Sequence, residues 1–125
     1  MSRTTLPAPE RALHAAGGYN EHLALIRGRD VSGVYVISNT RTGTVLYVGE
    51  SHSGRLYDTI TRHFRRWRVN PALDATWRRR GGQTFNRRFV SVAYVVTEPD
   101  QAVPTQDYLI AELEPRDNGR AVVPV

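Results

Sequence analysis

The chain has 125 residues, which suits one domain around one modest hydrophobic core. It contains no cysteine, so a disulfide framework and every thiolate metal site are excluded. The formal charge is +5, carried by 17 basic residues that are all arginine.

Ten of those arginines fall between Arg55 and Arg88, against only Asp58 and Asp74. Such clustering concentrates positive potential and predicts a polyanion as partner, nucleic acid above all. The plain alternative is a solvated basic surface in an arginine-biased proteome. No apolar run has the length of a membrane helix, and the N-terminus lacks the apolar core of a signal peptide. These features predict no membrane partner and a cytoplasmic or otherwise intracellular location.

Residues 1–27 read as an N-terminal arm or short helical lead-in, with Pro7, Pro9 and Gly17-Gly18 interrupting any pattern. Within it, Leu23, Leu25 and Ile26 suit a short helix or a lead-in strand against the domain, which spans 28–125. Val34-Tyr35-Val36-Ile37 is rich in β-branched and aromatic residues and predicts a strand. Asn39 to Gly43 supplies turn chemistry, and Val45-Leu46-Tyr47-Val48 reads as the return strand of a hairpin closed by Gly49.

From Arg55 to Trp67 the period becomes helical, with Tyr57, Ile60, Phe64 and Trp67 on one apolar stripe. Arg55, Thr59, Arg62 and Arg66 recur on another face, bordered by His63, and that face suits a phosphate backbone. The segment from Trp77 to Arg88 reads as a basic loop. Phe89 to Val96 reads as a central, well-buried strand. Pro99 and Pro104 bracket an expected turn, and Gln106 to Glu114 a short helix with Leu109, Ile110 and Leu113 inward. The order β-β-α-β-α predicts an α+β fold: a small, mainly antiparallel three-stranded sheet flanked by helices, with one face partly open.

Several residues can carry chemistry. Tyr35 and Tyr47 sit on adjacent strands beside the basic helix, although strand tyrosines commonly serve packing. In the functional reading one phenol orients a water and the other contacts phosphate. A phenol of pKa about 10 is a poor base at neutral pH, so it needs arginine or metal-bound water as helper. His63 can accept a proton or hydrogen-bond a phosphate. His52 borders the same region in the 50–54 loop, while His14 and His22 lie outside it. Arg62, Arg66, Arg78, Arg79, Arg80, Arg87 and Arg88 suit phosphate positioning, and Trp77 suits base stacking or core packing. Glu50, next to Gly49, is a weak candidate metal ligand, with a salt bridge as the plainer role.

Gly33-Val34-Tyr35 and Tyr47-Val48-Gly49 resemble the two halves of the GIY-YIG nuclease signature. Arg62-His63-Phe64 and Pro115-Arg116-Asp117-Asn118 extend the resemblance over roughly residues 32–120. It implies a divalent-metal-dependent endonuclease or nickase acting on DNA, with Mg2+ or Mn2+ as cofactor. It also implies catalytic roles for Tyr35, Tyr47 and His63, with Arg55 beside them, and a nucleic-acid contact at Asn118. Two positions depart from the family pattern. Thr59 stands where the family has arginine, leaving Arg55 or Arg62 to substitute, and Gln106 stands where it has the metal-binding glutamate. A neutral amide is a much weaker ligand than a carboxylate for a hard cation. The competing reading is therefore a catalytically silent nucleic-acid-binding domain, and a third is a protein-interaction domain. A homodimer or a protein partner remains open.

Overall fold

The computed structural model describes residues 21–64 and 84–118. A single 3-10 turn, Leu23–Ile26, leads into the sheet and buries Ile26. Strand β1, Ser32–Asn39, is followed by β2, Val45–Ser51. Asn39 shapes the hairpin turn: its Oδ1 accepts from the backbone N–H of Arg41 and of Thr42, at 2.9 and 3.0 Å. Gly43 then takes φ 78°, a conformation that favours glycine. Helix α1 spans Leu56–Arg62, β3 spans Val90–Thr97, and helix α2 spans Pro99–Leu113. The result is a three-stranded antiparallel sheet of order β2-β1-β3, an α+β domain as the periodicity predicts.

Alternation along β1 splits the core in two. Tyr35 and Ile37 point into a cluster with Ile26, Leu46, Leu56, Ile60, Val90, Val92 and Tyr94. Val34 and Val36 point the other way, to Val48, Val95 and Leu109. Leu56 and Ile60 place α1 on the first face, and Leu109 places α2 on the second. Each such fully buried aliphatic side chain contributes about 1.5–3 kcal/mol of burial free energy. Both faces are thus covered, which corrects the expectation of one open face.

That two-sided burial also explains why β3 reads as central when it is an edge strand. A continuous apolar run reports cover on both faces, not neighbours on both sides. Two other readings change. Pro99 and Pro104 lie within α2 instead of bracketing a turn. Pro99 occupies the first helical position, where its missing N–H costs nothing. Pro104 sacrifices one hydrogen bond in the second turn. The inward face of α2 is Ala102, Thr105 and Leu109, while Leu113 is exposed.

The free edge of β2 is covered by the segment after α2. The N–H groups of Arg116 and Asp117 donate to the carbonyls of Val45 and Leu46, at 3.0 and 2.8 Å. Asn118 completes the cover: its Oδ1 accepts from Val48 N at 2.8 Å, and its Nδ2 donates to Val48 O at 2.7 Å.

Candidate active site

Tyr35 and Tyr47 emerge from adjacent strands on one side of the sheet, because Tyr35 pairs with Gly49 and Tyr47 pairs with Ile37. Their ring centroids are 6.2 Å apart. A register shift opposite Ile37 and Ser38 turns both Leu46 and Tyr47 toward this face. Helix α1 ends beneath them, and its C-cap, His63, closes the group. The His63 ring lies 4.8 Å from the Tyr47 ring and 5.4 Å from the Tyr35 ring. Phe85 packs on Tyr47 and His63, at centroid distances of 6.3 and 5.9 Å.

The two signature glycines have steric causes. A methyl group at Gly49 would overlap the Oη and Cζ of Tyr35, whose ring lies across that position. A methyl group at Gly33 would overlap the carbonyl oxygen of Val95 and press on Leu56 Cδ2 at 3.0 Å. Gly49 therefore lets the Tyr35 phenol lie flat on β2, and Gly33 lets β1 and β3 pair closely under α1.

Tyr35 and His63 are both sealed, at 2% and 1% exposure. Tyr35 Oη and His63 Nε2 share a 2.6 Å hydrogen bond. This corrects the reading of His63 as the border of a solvent-facing cationic stripe. His63 keeps helical backbone angles, φ −66° and ψ −14°, so it continues the buried face that Leu56 and Ile60 begin. Burial pushes the Tyr35 phenol well above its ordinary value, reinforced by the neighbouring Tyr47 and Glu50 and opposed by Arg62. Tyr35 therefore keeps its proton and cannot act as a base near neutral pH.

Tyr47 is only half-buried and is the accessible phenol of the pair. Burial and then the Glu50 charge raise its pKa too, so it also stays protonated, with an O–H to donate. Glu50, 16% exposed, is the carboxylate whose charge reaches both phenols. Both its oxygens lie within 3.1 Å of His52 Nδ1, a pairing with the next loop and not with the basic helix.

The cations divide differently from their helical spacing. Arg62, half-buried, is the arginine whose charge acts on Tyr35. Arg55 precedes α1 as its N-cap, 63% exposed, with its guanidinium 4.0 Å from Asp58. It lines a separate pocket of about 380 Å3 with Arg29, Asp30, Tyr57 and Asp58, which corrects its expected aim at the phenols. Thr59 is half-buried on α1. Arg87 sits over the Phe64 ring at 5.6 Å and donates to Val90 O at 3.1 Å, while Arg88 is exposed. Asn118 is committed to the Val48 backbone, which corrects its expected role as a nucleic-acid contact. Gln106 is half-buried on α2, whose core residues pack on the face opposite the phenols. Arg66, Trp67, Trp77, Arg78, Arg79, Arg80 and His14 lie outside the described residues.

Phe85 and Leu56 were not singled out in the sequence. Phe85 sits in a basic, glycine-containing stretch without periodicity, and Leu56 falls just before the apolar stripe. Among the described residues no three His, Asp or Glu side chains group as a closed metal cage. Mg2+ needs no such cage, because one carboxylate with waters and substrate phosphate holds it. No family model matches the chain, and no curated protein matches it. No described helix is long and apolar enough to cross a membrane.

Proposed function

We propose that this chain is a GIY-YIG-like nuclease domain that hydrolyses a DNA phosphodiester at the edge formed by Tyr47 and Glu50. The observation that carries the reading is the convergence of Tyr35, Tyr47 and His63 from three elements, with Gly49 vacated for the Tyr35 phenol.

In this reading Tyr47 donates to a non-bridging phosphate oxygen and fixes the scissile group. Tyr35 and His63 are positioning residues that hold the Tyr47 ring from behind. Arg62 offsets phosphate charge as it builds in the transition state. Water attacks phosphorus, the bond to the leaving oxygen breaks, and a phosphate monoester and a hydroxyl end result. A divalent cation held by Glu50 would supply Lewis-acid polarisation of the phosphate.

A second reading, a silent DNA-binding domain, is favoured by the neutral Gln106 and by the separation of its helix from the phenols. Cleavage of supercoiled and branched DNA in Mg2+ or Mn2+ separates the two. The nuclease reading expects cutting by the wild type, loss in Tyr47→Phe, and no gain in Gln106→Glu. Cutting only by Gln106→Glu indicates a silenced nuclease. DNA binding without cutting by any form overturns the enzyme reading.

A further inference from the structure

The outer edge of β3 bears a pattern that the candidate site does not use. Over Val90–Thr97 the strand is Val-Ser-Val-Ala-Tyr-Val-Val-Thr, eight residues with no proline and no charge. Strand order leaves its far side without a strand among the described residues. Natural edge strands are usually guarded by charge, proline, a bulge or shortness. At eight residues this one is longer than the usual strand and uncharged, in a chain of net charge +5. The other edge of the sheet, by contrast, is covered by Arg116 to Asn118.

Guards of the usual kind are displaced to the two ends of β3, and they have opposite signs. Arg87 and Arg88 precede the strand, and Glu98 and Asp100 follow it, all exposed. An antiparallel partner of the same sequence, with its two-fold axis at Ala93, brings opposite ends together. In that register Val90 meets Val96 of the copy, Phe89 meets Thr97, and Arg88 meets Glu98. Neither Arg88 nor Glu98 has an ion-pair partner among the described residues. Phe89 and Val96, two of the large apolar side chains left exposed, lie at the ends of the same ladder. A parallel copy would set arginine against arginine.

We infer that β3 is the self-association edge of this protein. Two copies pair β3 to β3, antiparallel, and extend the sheet to six strands, with Arg88 of each copy against Glu98 of the other. Such an interface is isologous and closes on itself, so it yields a dimer and no fibre. An eight-residue ladder spans about 27 Å. Its contact lies at the small end of specific interfaces, so association is weak and reversible, with Kd on the order of 10–100 μM.

Sedimentation equilibrium of the full chain across that concentration range tests the inference, with circular dichroism as the check on folding. Wild type is expected to move from monomer to dimer. Arg88→Glu and Glu98→Arg each place like charges at two symmetry-related contacts, and each is expected to weaken the dimer by about tenfold or more. The double variant, Arg88→Glu with Glu98→Arg, restores opposite charges and is expected to recover dimerisation. A wild type that stays monomeric throughout overturns the inference, as does a dimer indifferent to the single reversals. Failure of the folded double variant to recover overturns it too. A monomeric wild type that instead captures an uncharged β-strand peptide assigns the edge to another chain.

Discussion

At the residue scale, two glycines and two phenols explain one another. Tyr35 lies flat because Gly49 has no side chain, and the flat ring delivers Oη to His63 Nε2 at 2.6 Å. Gly49→Ala forces the phenol off β2 or shifts the strand. It should cost about 1–3 kcal/mol, read as a lowered urea midpoint at unchanged slope. The tyrosines were legible in the sequence as a pair, since both sit mid-strand at a hairpin. Their unequal roles were not legible, because parity places both on one face without saying which is sealed. That depends on how α1 is rotated on the sheet: its buried face is Leu56, Ile60 and His63 and not Tyr57, Ile60 and Phe64, which brings the imidazole against Tyr35.

The raised phenol pKa values of Tyr35 and Tyr47 make a further prediction at this scale. In the unfolded chain both titrate near pH 10. In the native state both hold their protons to higher pH, so the unfolded state binds fewer protons above pH 10. Stability contributed by the neutral phenols is therefore complete below about pH 10 and falls as pH rises through the native values. Alkaline unfolding monitored by ultraviolet absorbance should show tyrosine ionisation coinciding with loss of structure. Glu50→Gln should let Tyr47 ionise at lower pH, while burial retains part of its shift. Two phenols ionising near pH 10 in the folded protein would contradict the buried cluster.

At the element scale, the sheet is held by unlike devices at its two edges. On the β2 side, Asn118 makes a paired amide contact with Val48, from a segment 70 residues away in sequence. Asn118→Ala leaves a part-buried N–H and C=O to water and should cost about 1–3 kcal/mol. Hydrogen exchange should then accelerate at Val48 more than at the β1 amides. Equal acceleration throughout would mean that Asn118 supports the fold globally and does not guard that edge. Strand existence, hairpin pairing and the order of elements were all legible from period and turn chemistry. The location of β3 at an edge was not, because burial on both faces produces the same apolar run at the centre and at the rim. The helical character of Pro99 and Pro104 was hidden for a related reason: proline ends most helices, but the first position takes Pro99 without loss and the second turn absorbs Pro104 for one hydrogen bond.

At the scale of the whole molecule, a basic chain carries on one strand, β2, a half-buried phenol and a carboxylate whose charge acts on it. The charge total alone predicts only affinity for a polyanion, with a strong dependence on salt. A cutting site requires more: a donor held against the phosphate and a carboxylate to hold a cation. In the proposed reading Tyr47 and Glu50 take those tasks, while Arg55 turns to a separate pocket and Asn118 to the backbone. The sequence spacing misled for Arg55 because the helix begins one residue later, at Leu56, which frees the N-cap side chain from the helical face.

Nicking of supercoiled DNA in Mg2+ or Mn2+, at enzyme excess and low salt, tests the proposed site most directly. Wild type should nick, and Tyr47→Phe and Glu50→Gln should each slow the rate by about 10²–10³-fold while DNA affinity stays within a few fold. Nicking at wild-type rates by both variants, or none by a wild type that binds DNA, would contradict hydrolysis at the Tyr47–Glu50 edge.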